Sequence, residues 1–314
     1  MQRNIPSRLI SLALLLITQT IVCLAQDKLS GTATVSPTGA ATYSVAIEVP
    51  KGRGDLMPSI GITYNSQAGN GLVGFGCNIT GLSVITRGMK TIAHDNTVKG
   101  IDYNSNNCAL YLDGKRLLLK SGTEGTDGCV YAPEGEPLTN VTLHNSLTST
   151  SCWFEVDTND GMVYEFGNID GRQYLNNNSA VATWYINKAT NPMGQTITYF
   201  YYADGLYLYP ETIYYNGSNT INFTYENRSD SIFFTLGNSR GYVGKRLKSI
   251  STKTGNSTFR TYTMSYNNTY DGSQTKFSRL TTIHETGEGA DQATTSLLCG
   301  TICQVFLKHV INRL

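Results

Sequence analysis

Cys77, His94 and Asp95 are residues that could do thiol chemistry together. A Cys thiolate is a nucleophile, a His can take its proton, and an acid can orient the ring. Their spacing matches no local signature, so they read as a packed thiol and a turn histidine. Cys299 and Cys303, four apart, would share one face of a helix. The other histidines, His144, His284 and His309, lie in separate segments, and no HExxH or paired CxxC spacing occurs. "DTNDG", Asp157 to Gly161, opens like a calcium loop, but Asn168 stands where that loop needs its closing Glu. Asn-Asp-Gly is equally good turn chemistry, and a hairpin turn is the reading. "RGD", Arg53 to Asp55, invites an integrin-binding reading but fits a turn after Pro50. Catalytic residues, cofactor-binding residues and metal ligands are therefore all assigned as none, and the chain reads as a non-enzyme.

The elements that would position these residues are strands. The chain has 314 residues with 31 Gly, 20 Tyr and only 15% charged residues. Low charge with many Tyr, Thr, Ser and Asn suits strands and turns better than helices. "ATYSVAIEV" puts Tyr43, Val45, Ile47 and Val49 on one face and Ser44, Ala46 and Glu48 on the other. "SIGITY" repeats the alternation with Ile60, Ile62 and Tyr64. A period of two marks a half-buried strand. Hairpin turns follow at Asp113-Gly114, Asn159-Asp160-Gly161 and Asn216-Gly217, where Gly and Asn accept positive φ. Between Tyr199 and Ile283 the pattern is weakly repetitive: short strands centred on Ile213, Ile250 and Ile283 alternate with aromatic strands such as "INFTYEN" and "TYTMSYNN". One hairpin cannot bury its apolar face alone, so consecutive hairpins must extend one sheet. The fold class expected is all-β: consecutive antiparallel hairpins forming a large curved sheet. The Tyr-rich strands alternate with polar residues, as core-facing strands do. Net charge is +1, which excludes a strong field for nucleic acid or an anionic surface.

The first residues read as an address. "MQRNIPSRLISLALLLITQTIVCLAQ" has Arg3 and Arg8, an apolar run from Leu9, and a small residue at Ala25. That is the layout of a secretory signal peptide, residues 1–25. Ser11, Thr18, Gln19 and Thr20 interrupt the run, which argues against a membrane anchor. Val22 before Cys23 is bulky for a lipoprotein signal. An exported chain tolerates disulfides. Cys77, Cys108, Cys129, Cys152, Cys299 and Cys303 are then available, and six cysteines allow 15 pairings. Cys108 with Cys129, or Cys129 with Cys152, would be local bridges; the pairing stays open.

Longer blocks carry a resemblance. "TYSVAIEVPKGRGDLMPSIGITYNSQAGNGLVGFGCNITGLSVITRGMKTIAHD" resembles the start of the SpvB-type domain of Salmonella virulence plasmid B proteins, Tc toxin B components and Rhs/YD-repeat proteins. "LYLDGKRL", "FEVDTNDGMVYEFGN", "ATWYINKATNPMGQTITYFYYADG" and "YPETIYYNG" extend it from about Gly31 to Ile283. Ala46 stands where the family usually has Pro, Asp55 where it has Gly, and Cys77 where it has Trp. The resemblance gives an SpvB-like β-rich domain over 26–290 and an atypical tail over 291–314, read as a truncated or frame-disrupted end. It implies a non-catalytic, exported scaffold: a segment of a hollow β-shell in a bacterial toxin or secreted effector system. The implied partners are other Rhs/YD-repeat shell or toxin-complex components and an encapsulated polypeptide cargo, with no nucleic acid and no stable membrane span after signal cleavage. The implied location is secreted, cell-surface or periplasmic. Gly71, Gly74, Gly76 and Gly81 would serve tight turns and close backbone approach. The competing reading is a stand-alone secreted adhesin or glycan-binding or protein-binding module with exposed aromatics on a β-surface.

Overall fold

Alternation along the chain becomes alternation of burial. In the computed structural model, which describes residues 31–52, 54, 56–176, 179–270, 273–287 and 292–296, the described elements are strands apart from one short helix. The leader, Cys23, Arg53, Asp55, Cys299, Cys303 and His309 lie outside the described residues. Strand β1 (Thr32–Val35), β2 (Ala41–Ala46), β3 (Gly61–Asn65) and β6 (Cys77–Thr80) form a four-stranded antiparallel sheet in the order β1-β2-β3-β6. Val45, Ile47 and Ile62 are buried while Ser44, Ala46 and Glu48 are exposed, as the period of two requires. A two-stranded hairpin, β4 (Asn70–Gly71) with β5 (Gly74–Phe75), interrupts this sheet.

The main sheet has 16 strands. Its first part is a meander of β7 (Val84–Gly88), β8 (Ala109–Leu112), β9 (Lys115–Ser121), β10 (Val130–Pro133), β11 (Asn140–His144), β12 (Trp153–Asp157) and β13 (Val163–Phe166). Helix α1 (Ile92–Asp95) lies in the β7–β8 connection. After β14 (Arg172–Tyr174), β15 (Val181–Thr190) pairs with β13 through Ile186–Thr190 and with β7 through Thr183–Tyr185. That double pairing closes β7 through β13 and β15 into a barrel-like sheet. Closure satisfies edges that an open sheet would leave bare. The expected curved sheet is thus closed at one end, a feature the local hairpin pattern does not encode.

From β15 the sheet continues outward. β16 (Thr196–Asp204), β17 (Tyr207–Tyr215), β18 (Asn219–Leu236), β19 (Ser239–Thr254), β20 (Ser257–Tyr270), β21 (Ser273–Gly287) and β22 (Gln292–Ser296) pair in chain order, each antiparallel to the last. Cross-strand partners carry the core from one strand to the next: Tyr199 faces Ile213, Ile213 faces Ile221, Phe223 faces Ile250, Ile250 faces Tyr262, and Met264 faces Ile283. Ile213, Ile250 and Ile283, the centres of the weak repeat, are all buried. β22 extends the meander beyond residue 290.

One segment ties the two sheets. The Glu48 N–H donates to the Tyr262 hydroxyl at 3.0 Å, and the Tyr215 hydroxyl donates to the Pro50 carbonyl at 2.7 Å. Asn219 Nδ2 donates to the Lys51 carbonyl at 3.2 Å. The tyrosine hydroxyls therefore act as pegs between elements, and one continuous core joins both sheets. No helix among the described residues is long and apolar enough to cross a membrane.

Two glycines separate conformation from space. Gly39 and Gly81 both have positive φ, 82° and 92°, but a Cβ at Gly81 would lie 1.8 Å from the Ser59 carbonyl oxygen while one at Gly39 meets nothing. Gly39→Ala is expected to cost about 1 kcal/mol from backbone strain. Gly81→Ala adds a steric clash and should lose a further ~1–3 kcal/mol. Urea unfolding of both variants checks the difference; equal losses would contradict it.

Candidate functional site

The glycine-rich stretch from Gly71 to Gly81 becomes a seam rather than a catalytic loop. The Leu247 N–H donates to the Leu72 carbonyl at 2.9 Å, fastening the β4–β5 hairpin across β19. Phe75 stacks on Phe277 of β21 at 5.3 Å. Gly74 has φ 93°, and a Cβ there would lie 2.8 Å from the Ser278 carbonyl oxygen. Only glycine lets the hairpin approach β21 so closely.

A buried ionic clasp locks this seam. β18 carries a register shift between Asn227 and Ile232, and the displaced residues turn Arg228 and Asp230 inward. The Arg228 side chain is 0% exposed and that of Asp230 5%. Arg228 Nε donates to Asp230 Oδ1 at 3.0 Å, its Nη1 to the Gly71 carbonyl at 2.9 Å, and its Nη2 to Asn70 Oδ1 at 2.6 Å. Asp230 also accepts from Asn70 Nδ2 at 3.0 Å, and from the Ser278 N–H and hydroxyl at 2.6 Å each. Arg246 bridges Ser278 at 2.7 Å to Glu226 at 2.7 Å. Burial works to raise the Asp230 pKa, but the hydrogen bonds from Arg228, Ser278 and Asn70 outweigh it and hold the carboxyl well below the usual range. The hydrogen-bonded charges satisfy each other, so the arrangement positions strands and leaves no group free for chemistry. Sequence reasoning passed over Arg228 and Asp230; the available signal was a pair of opposite charges breaking an aromatic strand.

The residues that could have done chemistry separate in space. His94 Nε2 lies 3.2 Å from Glu134 Oε1, and its Nδ1 3.2 Å from Thr91 Oγ1. Asp95 turns instead to Arg116 Nη2 at 2.6 Å and accepts the Thr91 N–H at 2.9 Å. Burial opposes ionisation of Asp95, yet the Thr91 N–H and the nearby Arg116 and Lys90 charges hold its pKa below the ordinary value. Cys77 faces Tyr64 within the four-stranded sheet, so the thiol, imidazole and acid are divided among different partners. Its small side chain is buried at the position where the resembling family has Trp. His144 stacks on its cross-strand partner Trp153 at 3.9 Å. "DTNDG" is the β12–β13 hairpin: Asp160 accepts the Met162 N–H at 3.3 Å, and Gly161 has φ 81°. Among the described residues, no group of three or more His, Cys, Asp or Glu is placed to hold a metal.

Neither local bridge that the sequence left open, Cys108–Cys129 or Cys129–Cys152, is present: Cys77, Cys108, Cys129 and Cys152 are all buried and none is in a disulfide. Cys108 Sγ accepts from Arg87 Nη1 at 3.3 Å, and Cys152 points at the Leu147 carbonyl at 4.0 Å. Arg87 is itself buried, donating to the Val181 carbonyl at 2.8 Å and stacked 5.3 Å from Trp184. All four thiols belong to the hydrophobic core, Cys77 in β6 and Cys108, Cys129 and Cys152 one residue before β8, β10 and β12. Burial pushes the Cys152 thiol up to about 11 and raises Cys108 against the pull of Arg87.

A cavity of about 1000 Å³ lies where the four-stranded sheet meets the barrel. One wall is a row of hydroxyls, Thr32, Ser44 and Thr63; the other is apolar, including Val156, Met162, Phe166, Ile197 and Tyr199.

Residues 35–102 match the family model described as Salmonella virulence plasmid 65kDa B protein, SpvB. The SpvB resemblance holds. The N-terminal domain of effector protein SpvB from Salmonella typhimurium strain LT2 superposes with a TM-score of 0.63 at 13% identity, over 78% of this chain and 98% of that one. The TcdB2-TccC3 structure matches with a TM-score of 0.68 at 15% identity, over 86% of this chain and 16% of that chain. The Photorhabdus luminescens Tc holotoxin pore gives 0.68 at 14% identity, over 85% and 16%. The chain therefore spans about a sixth of the length of these toxin chains, and the likeness establishes a shared fold. A search of curated protein sequences finds no match.

Two outcomes follow. The folded pKa of Asp230 lies below its unfolded value of about 3.9, so its contribution is present above about pH 4 and is lost as pH falls through the folded value. Asp230→Asn should destabilise the chain by about 3–5 kcal/mol at neutral pH because it leaves Arg228 buried and uncompensated. Urea titrations should show that gap narrowing as the pH drops below about 3.9; a gap independent of pH would contradict the assignment. Alkylation followed by mass spectrometry should leave Cys77, Cys108, Cys129 and Cys152 unmodified in the native chain and label all of them in urea without reductant. A Cys108–Cys129 or Cys129–Cys152 bridge would overturn this.

Proposed function

We propose that the chain is a non-catalytic segment of a β-sheet shell in an exported bacterial toxin or effector system. The observation that carries this reading is the form of the main sheet. A closed barrel runs without interruption into β16–β22, and β22 pairs on one side only among the described residues. A sheet that grows by one strand at a time can be extended into a wall, and its last edge offers unpaired N–H and C=O groups to a further strand. The structural match to TcdB2-TccC3 and to the SpvB N-terminal domain supports the same role. The secretory layout of residues 1–25 supports export, with a working domain that starts at residue 26 and runs past 290 to include β22. The partners proposed are further strands of the shell, from YD-repeat or toxin-complex components, and a polypeptide enclosed by it.

A stand-alone exported binding module is the second reading. It draws on Phe200 and Tyr214, which form an edge-to-face pair at 5.6 Å on the solvent side of the sheet and are 37% and 50% exposed. Light scattering coupled to size-exclusion chromatography of residues 26–314 separates the two. The shell reading expects concentration-dependent association through the β22 edge. A clean, highly stable monomer across the concentration range would favour the stand-alone module.

A further inference from the structure

The cavity and a free strand edge meet at Thr32. β1 pairs only with β2, all four of its residues are exposed, and among the described residues no strand lies along its other side. Its N–H and C=O groups on that side are spaced for another strand. Thr32 belongs both to this edge and to the cavity wall. The wall continues inward through Ser44 and Thr63, whose hydroxyls lie 3.0 Å apart, and the small, exposed Ala46 beside them leaves the space open. Across it lie Val156, Met162 and Tyr199.

We propose that this chain binds an extended, uncharged peptide as a fifth strand on β1, with side chains at alternate positions entering the cavity beside Thr32. The edge supplies main-chain hydrogen bonds, which only an extended backbone satisfies in register. The cavity supplies selection with a period of two, because successive strand side chains point to opposite faces. Charge is excluded by the lining. No Lys or Arg is among its described residues, and its two carboxylates are engaged, Asp113 by the Ser83 hydroxyl and the Val84 N–H and Glu136 by Lys115. An acidic side chain would lose its hydration against the apolar wall without gaining a counter-charge, and a basic one would compete with the existing donors of Asp113 and Glu136. This site lies on the N-terminal sheet, away from β22, and does not depend on the shell reading.

The test uses the full purified chain and a fluorescein-labelled peptide with a Thr-Val-Thr-Val-Thr-Val-Thr core, read by anisotropy. Saturable binding is expected, lost when Pro replaces the central residues and removes their N–H groups. An environment-sensitive naphthyl group placed at each position in turn should shift to the blue at every second position only. Ala46→Trp, which fills the open part of the wall, should weaken binding at least ~tenfold, with Phe233→Ala as the unaffected control, exposed on the β18–β19 hairpin, none of whose described residues line the cavity. If Ala46→Trp fails to fold, Thr32→Trp on the exposed edge serves in its place. Absence of saturation, a blue shift without alternation, or full binding by a folded cavity variant would overturn the proposal. So would a dimer of the chain that Val35→Pro dissociates, because a second copy would then own the edge.

Discussion

The structure depends on one strand having to serve two sheets. β15 pairs on both edges and changes partners partway along: Val181 to Tyr185 lie between β14 and β7, and Lys188 to Thr190 lie between β13 and β16. It is consequently buried along most of its length, with Trp184 at its centre fully enclosed. A strand buried on both faces must read as near-continuous burial rather than alternation. Thr183 and Asn187 are its buried polar residues, and Asn187 Oδ1 accepts the Asn168 N–H at 2.9 Å. The Trp184 indole N–H donates to the Cys152 carbonyl at 2.9 Å, and its ring meets Phe154 edge-on at 4.9 Å. These contacts fix where the barrel closes and where the open sheet begins.

Two further constraints hold the open sheet in place against the N-terminal elements. The Arg228–Asp230 clasp reaches Asn70 across 160 residues and Ser278 across 48, so it exists only once the whole sheet is assembled. The tyrosine pegs at Tyr215 and Tyr262 do the same for the segment at Glu48–Pro50. Neither device lowers a barrier or holds a reactive group. Both exchange hydration for internal partners, which stabilises one arrangement of strands over its slipped alternatives.

Local features were legible in the sequence because their causes are local. Asp113-Gly114 and Asn216-Gly217 both sit in left-handed conformations at hairpin turns, with φ of 47° and 82°, and 52° and 73°. Ile213, Ile250 and Ile283 mark core rows because alternation is set by the strand itself. Closure of the barrel was not legible, since Thr86 of β7 meets Thr183 of β15, 97 residues on, and no turn residue encodes that pairing. The clasp was missed for the same reason. The cysteine pairing was left open by the sequence, because an even count permits bridges without requiring them; in the structure Cys108, Cys129 and Cys152 are each buried in the core.

The most direct test of this account is native-state amide exchange across β15, resolved by residue. If one strand unites barrel and open sheet, the amides of Thr183–Tyr185 and Lys188–Thr190 exchange only through global unfolding, with the same free energy as those at the centres of β18 and β19. If Lys188–Thr190 instead open together with β16–β19 at a lower free energy while Thr183–Tyr185 stay protected, the barrel and the open sheet are separate folding units and the account is wrong.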